Sequence, residues 1–423
     1  MIRECRFCGT SLDHLVVDLG VSPLCESFLR ADQLDQVEPF YPLRLMVCAR
    51  CFLVQLPSYV APEVIFTEYA YFSSYSDSWL EHATRYAEEM RRSLGLGPQS
   101  LVVELGSNDG YLLRNFVEAG VPVLGIEPAE NVARVAEAAG VTTLNRFFSR
   151  DLARELRSAG RQADLIACNN TLAQIPELND VMAGIAELLA PQGLFTIEVP
   201  SLAHLLAENQ FDTIYHEHFS YFSVGTLHRI LAHHGLDVVD VDELPTHGGS
   251  LRIHCRHAGS SAIAPRVAEM IELEREAGLE DVATYASFGD RIAKLKRDVL
   301  EFLIDVYREG KTIAGYGAPG KANTLLNYCG IGPDLLPFTV DRNPYKQGRY
   351  TPGTRIPIHH PDRLMEVRPD IVWILPWNLR REISEQLSTV REWGGRLFVA
   401  IPEPHLLDID AVPSAGQIAT QRS

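Results

Sequence analysis

The sequence predicts an α/β protein built in three blocks: a small metal-binding module, a central doubly wound domain and a second, shorter doubly wound domain. Three observations carry this expectation. Two C-x2-C pairs stand near the start of the chain. From Leu101, apolar strands alternate with amphipathic helices, the pattern of a parallel sheet covered on both faces. A shorter alternation of the same kind begins at Lys311.

The N-terminal module is expected over residues 1–75. Cys5-Arg6-Phe7-Cys8 and Cys48-Ala49-Arg50-Cys51 are tight knuckles that each turn two thiolates the same way. Two facing knuckles give four sulfurs at tetrahedral corners, so Cys5, Cys8, Cys48 and Cys51 are the expected ligands of a zinc ion. Four protein ligands leave no open position, which makes the metal structural. Gly9 suits a turn that needs positive φ. The other four cysteines, Cys25, Cys168, Cys255 and Cys329, stand alone in mostly apolar surroundings.

The central domain is expected over 76–260. A helical stretch, SDSWLEHATRYAEEMRRSLGL, leads into it. Its strands read LVVELG, PVLGIEP, VTTLN, DLIACNN and LFTIEVP. The first turn places Glu104, Gly106, Asn108, Asp109 and Gly110 between strand and helix, and Glu127 ends the next strand about 20 residues later, where an acid accepts ribose hydroxyls. The loop is E-x-G-x-x-x-G. It lacks the third glycine a dinucleotide pyrophosphate needs, so it favours the phosphate-free S-adenosylmethionine. Asn169 and Asn170 end the fourth strand beside the expected ligand, although Asn170 also suits a turn cap.

Two polar segments follow. Phe211–Phe222 carries Tyr215, Glu217 and His218, a phenol donor, an orienting carboxylate and a base, with His216 between. Metal binding there is disfavoured, because H-E-H is not the H-E-x-x-H that puts two imidazoles on one helix face. The turn with His247, Gly248, Ser250 and Arg252 lines the same cleft or forms a tight hairpin; the sequence leaves both open.

A helical connector is expected over 261–310 and a Rossmann-like domain over 311–405. Gly315, Gly317 and Gly320 form a G-x-G-x-x-G after a strand, followed by Lys321, with Asp341 ending the next strand. This grip suits a diphosphate, whether of a nicotinamide dinucleotide or of a substrate. Residues 406–423 read as a fraying tail.

The order of these motifs resembles the nucleotide-sugar C-methyltransferases over nearly the whole chain up to about Pro404: a four-cysteine module, ELGSNDGYLL, YHEH, HGGS, then GYGAPGKANTLLN and DRNPYKQGRYTPGTRIPI. The resemblance implies a class I methyltransferase domain, a C-terminal domain that holds a nucleotide sugar without a dinucleotide, and methylation at C3 of a dTDP-4-keto-2,6-dideoxyhexose in deoxysugar and antibiotic biosynthesis. It implies catalytic roles for Tyr215, Glu217 and His218 and a tyrosine from YAYFSSYSDS, of which Tyr71 is preferred over Tyr69 and Tyr75. It also draws Asn323 toward the sugar nucleotide.

Composition narrows the rivals. Of 423 residues, 38 are Lys or Arg and 55 Asp or Glu, for a net charge of −17. That acidity disfavours nucleic acid and anionic membrane as partners, and with them a zinc-ribbon RNA-modifying role. No apolar run approaches the length of a membrane span, and MIRECRFCGTSL has no signal-peptide core, so a cytoplasmic enzyme acting on a small molecule is expected. The oligomeric state stays open. The competing enzyme class is an NAD-dependent nucleotide-sugar oxidoreductase reading the C-terminal fingerprint.

Overall fold

The computed structural model describes residues 4–66 and 72–407. Tyr69 and Tyr71 lie outside the described residues, as do residues 408–423 of the expected tail, and Tyr75 is described in its backbone alone.

The knuckles close by backbone geometry. The Gly9 amide donates to Cys5 O (2.9 Å) with Gly9 at φ 71, and the Phe52 amide donates to Cys48 O (3.0 Å) with Phe52 at φ 60. Strands His14–Ser22, Tyr41–Val47 and Val54–Gln55 pair antiparallel beyond them. The fourth strand of this sheet is Ser220–Tyr221, from the polar segment of the central block, paired to Val54–Gln55. Among the described residues, the module's apolar side chains are shared with the other blocks. Val17, Leu19 and Leu45 share one apolar cluster with the C-terminal block, and Leu12, Met46 and Leu53 share another with the central block.

The central sheet has seven strands, in spatial order Leu236–Leu244, Ser250–His257, Leu189–Pro200, Ala163–Asn169, Val102–Leu105, Val123–Ile126 and Thr143–Leu144. Leu189–Pro200 and the four strands after it run parallel; Ser250–His257 is inserted antiparallel to its neighbours. All strand C-termini of the parallel set therefore open on one edge, where a ligand crevice forms. The helix Asp77–Leu94 packs on this sheet, started by the Ser76 hydroxyl, which accepts from the Trp79 amide, and stopped by Gly95 at φ 63.

The expected connector is a core element. In the helix Val282–Arg308, Tyr285, Phe288, Ile292, Leu295, Val299, Leu303 and Val306 recur at helical spacing and are buried in the cluster that joins the N-terminal sheet to the C-terminal block. The C-terminal sheet has six strands, in order Ile358–His359, Thr339–Val340, Ile313–Tyr316, Ile371–Ile374, Arg396–Val399 and His405–Leu406, parallel except the last.

A buried ionic network crosses the central sheet. Arg252 and Glu198 are opposite each other on adjacent strands, and the guanidinium donates from Nη2 to Glu198 Oε1 at 2.6 Å. Glu198 Oε2 lies 2.8 Å from His82 Nε2, and Arg252 stacks over Tyr86. Glu198 is completely buried, so removing one partner strands a charge. Arg252→Ala is expected to lower the unfolding free energy by about 3–5 kcal/mol in urea titrations; a loss under about 1 kcal/mol would show that the network is not built this way.

Candidate active site and zinc centre

The four cysteine sulfurs lie within 4.8 Å of one another, and they form the metal-binding cluster found among the described residues. The edges Cys5–Cys51 and Cys8–Cys48 are 3.5 Å each and Cys8–Cys51 is 3.6 Å, close to the sulfur–sulfur edges of a tetrahedral zinc–thiolate centre. Soft thiolates in a closed tetrahedron fit zinc, and no position is left for chemistry. Cys48→Ser is expected to lose stoichiometric zinc by elemental analysis and to lower the melting temperature by about 10 °C or more.

The donor crevice lies where the parallel strands end. Gly106 (φ 68) packs so close to Thr171 that a Cβ there would meet its Oγ1 at 2.4 Å, which explains why glycine stands there. Asn108 (φ 48) and Asn170 (φ 55) both hold left-handed backbone at this edge, a cost that clusters at functional sites. The Glu127 carboxylate accepts from the amides of Asn108 (2.9 Å) and Ala129 (2.8 Å), tying the second strand's end to the first turn. Asp109 accepts from the Ser74 amide through Oδ2 (3.1 Å), whereas its Oδ1, Asn169 Oδ1 and both side-chain polar atoms of Asn170 are buried without a protein partner. Such orphaned groups are costly unless a polar ligand meets them, so these residues fit a methionine-tailed nucleoside. Glu104 sits deeper, fully buried beneath the turn, and burial pushes its carboxyl well above the ordinary range.

The 3-10 turn Phe211–Thr213 aims the next segment. His218 Nδ1 lies 3.1 Å from Thr213 O; a carbonyl only accepts, so Nδ1 carries the proton and Nε2 is left basic. His218 lines a small cavity with Thr213, Ser220 and Tyr221, at the end of the strands that finish at Asn169 and Pro200. Burial depresses His218 to about 4, aided by the nearby Lys321 charge, so the imidazole is neutral at pH 7. The Tyr215 ring lies 4.1 Å from the His218 ring, tilted by 35°, and burial raises its phenol well above the ordinary value, keeping it a donor.

Two expected roles change, and two residues left open find a place. Glu217 does not orient His218; the Thr213 carbonyl does, because the turn sends the Glu217 side chain the other way, where Oε1 accepts from Cys25 Sγ (3.3 Å). Cys25 is thus not alone in apolar surroundings. His216 docks the segment on the N-terminal sheet: its Nε2 donates to Pro42 O (3.0 Å) and its ring meets Tyr41 and Tyr59 edge-on. Arg252 is held by Glu198 and Glu89.

The His247 turn meets the C-terminal block. His247 (φ 55) stacks edge-on against Trp79, and its Nε2 is buried without a protein partner. Gly248 lies so near Trp377 that a Cβ would reach Cη2 at 2.4 Å, and Ser250 closes its own turn by donating to Thr246 O (2.9 Å). Sequence reasoning passed over Trp377 and Asp212. Trp377 Nε1 donates to Asp212 Oδ2 (2.7 Å), and burial raises Asp212 to about 6. Lys321 lies over the Trp377 ring and donates to Asn378 Oδ1 (3.0 Å).

The C-terminal glycine turn already holds an anion. The Glu26 carboxylate lies 2.8 Å from where a Cβ on Gly320 would stand and pairs with Lys346 (3.2 Å). Asp341 accepts from the Ala318 amide (2.6 Å), Gly317 (φ 88) abuts Pro376, and Asn323 donates to Cys25 O (2.5 Å). The Gly320 end of the expected diphosphate seat is therefore occupied by the chain's own carboxylate.

A four-cysteine centre beside a seven-stranded sheet with one inserted antiparallel strand and an E-x-G-x-x-x-G turn at its strand ends defines a class I methyltransferase with a zinc module. Residues 5–66 match a zinc binding domain, 79–241 a methyltransferase domain and 245–402 a C-methyltransferase C-terminal domain. The chain is 39% identical over 411 residues to the C-methyltransferase NovU of Streptomyces niveus, covering 97% of this chain and 98% of that protein. It is also similar to two solved structures. These are magnesium protoporphyrin IX methyltransferase of Synechocystis with bound SAM (16% identity, 48% of this chain, 100% of that one, TM-score 0.35) and the CcbJ methyltransferase of Streptomyces caelestis (16%, 42%, 90%, 0.33). The chain belongs to the C-methyltransferase family, with S-adenosylmethionine as methyl donor and zinc in its cysteine centre. Among the described residues, no helix is long and apolar enough to cross a membrane.

Burial also depresses His247, to about 3. Both histidines bind protons more tightly unfolded (ordinary value ~6.5) than folded, so stability is fully present above about pH 6.5 and is lost as pH falls toward 4. Urea midpoints at pH 7 and pH 5 should show this loss, and a His218→Gln/His247→Asn double variant should show a smaller one.

Proposed function

We propose that the chain methylates the carbon beside a ketone in a nucleotide sugar, with C3 of a dTDP-4-keto-2,6-dideoxyhexose as the substrate and antibiotic deoxysugar assembly as the setting. The observation that carries this reading is the neutral His218, its Nδ1 committed to Thr213 O and its Nε2 left basic to take a proton from a substrate. A carbon becomes nucleophilic only after losing that proton. Nε2 of His218 takes it, and the electron pair moves onto the C4 oxygen as an enolate. Tyr215, a protonated phenol against the same ring, donates to the developing oxyanion. S-adenosylmethionine supplies, when bound, an electrophilic sulfonium methyl. Gly106, Asn108, Asp109, Gly110, Glu127, Asn169 and Asn170 hold the donor, and Glu104 supports them from below. On the substrate side, His247 offers its unpartnered Nε2 and Lys321 a buried positive charge that draws the phosphates. Gly248 and Ser250 shape that turn, Gly317 and Asn323 fix the C-terminal wall, and Tyr71 is a further candidate at the sugar.

The family membership supports a small-molecule acceptor. With Glu26 in the C-terminal glycine turn, nothing favours nicotinamide chemistry. The test is exchange of the C3 proton in D2O, measured by NMR with S-adenosylhomocysteine present. His218→Ala is expected to slow washout at least about 100-fold while donor affinity by calorimetry stays within about 3-fold. Washout that persists in the variant removes His218 as the base.

A further inference from the structure

We propose that Arg6, seated between two cysteines of the zinc centre, is a positioning residue that fixes the His218 ring relative to the donor crevice. The inference rests on the reading of His218 as the base. Arg6 belongs to the first knuckle, and its backbone is fixed there. Its amide donates to Gln55 Oε1 (3.0 Å), Gln55 Nε2 donates to Cys5 Sγ (3.2 Å), and the Arg6 carbonyl accepts from Asn179 Nδ2 (3.3 Å). The side chain leaves the module. Nη2 donates to Leu56 O, Nη1 donates to Pro176 O (3.4 Å), and the guanidinium lies over the Phe219 ring, 5.4 Å from its centre.

Those two carbonyls belong to the two segments that grip Phe219. The Leu56 amide donates to Phe219 O (3.0 Å), and the Phe219 amide donates to Ala173 O (2.7 Å), in the 3-10 turn Leu172–Gln174 that leads to Pro176. That turn begins two residues after Asn170, and Phe219 directly follows His218. One cation therefore spans both jaws and caps the ring between them. It ties the loop that leaves the donor crevice to the residue beside the base. Methyl transfer needs the sulfonium methyl and the acceptor carbon in line, and a displacement of about 1 Å costs about 100-fold.

The cation is a costly way to fill space. Its partners are carbonyls and a ring, not a carboxylate, and its Nε is buried without a protein partner. Burial lowers its proton affinity to about 10, so it is still charged at pH 7. An apolar side chain of similar length would be cheaper to bury. What the guanidinium adds is the bridge. Without it the Phe219 main chain slackens, and the bond from His218 Nδ1 to Thr213 O is no longer enforced.

Arg6→Met keeps the apolar stem and removes the cation, and two readouts on the full-length zinc-loaded protein test its loss. The first needs no substrate. Side-chain 15N shifts of His218 at pH 7 are expected to move from a single Nδ1–H form in the wild type to a mixture of the two neutral tautomers in Arg6→Met. In the second, kcat for methylation of the dTDP-4-keto-2,6-dideoxyhexose should fall about 10-fold or more while KM stays within about 3-fold. Elemental analysis should still find one zinc per chain, which separates this effect from loss of the metal. If Arg6→Met does not fold or loses zinc, Arg6→Lys carries both readouts. It leaves a cation over the ring but cannot span both carbonyls, so smaller changes in the same direction are expected. Unchanged His218 shifts, or a wild-type kcat, in a folded zinc-loaded variant overturn the proposal. Washout that survives in His218→Ala overturns the reading of the base instead, and leaves a moved His218 shift in Arg6→Met as evidence that Arg6 places the ring.

Discussion

One backbone carbonyl governs what this site can do. Thr213 O accepts from His218 Nδ1 and from the Tyr221 hydroxyl (3.4 Å), and in doing so chooses the tautomer. A carbonyl cannot donate, so the proton is confined to Nδ1 and the opposite nitrogen stays basic. Burial completes the device by keeping the ring neutral. A carboxylate in the same place would favour the imidazolium and raise the ring's proton affinity; a carbonyl does so far less.

The carbonyl is useful only if the Phe211–Thr213 turn is rigid, and all three blocks contribute to that. Trp377 and Lys321 flank Asp212 from the C-terminal block, His216 pins the following residues to Pro42, and Ser220–Tyr221 becomes a strand of the N-terminal sheet. The glycine turn of the second doubly wound domain is met from within the chain. Glu26 satisfies the electropositive turn that would otherwise attract a phosphate, and the N-terminal module is clamped to the C-terminal domain through it. The domain acts as a wall and an anchor for the segment Phe211–Phe222.

The sequence was most legible where chemistry is local. Cys5, Cys8, Cys48 and Cys51 announce themselves by spacing, and the alternation from Val102 to Pro200 by period, because a knuckle or a buried parallel strand is set by its own residues. What escaped was set by partners remote in the chain. Ser220–Tyr221 is too short to show a period. Arg252 looked available beside HGGS, but strand register places it opposite Glu198. Cys25 and Glu217 are 192 residues apart, and no local pattern links a lone thiol to a carboxylate. Glu217 follows the same logic: its neighbour in sequence is His218, yet the turn separates the two side chains.

The account's central claim is tested most directly by the side-chain nitrogen shifts of His218 in uniformly 15N-labelled protein at pH 7, assigned by their loss in a His218→Gln variant. The account predicts a neutral ring with the proton on Nδ1 and an unprotonated Nε2. A proton on Nε2, or a doubly protonated ring, would contradict it.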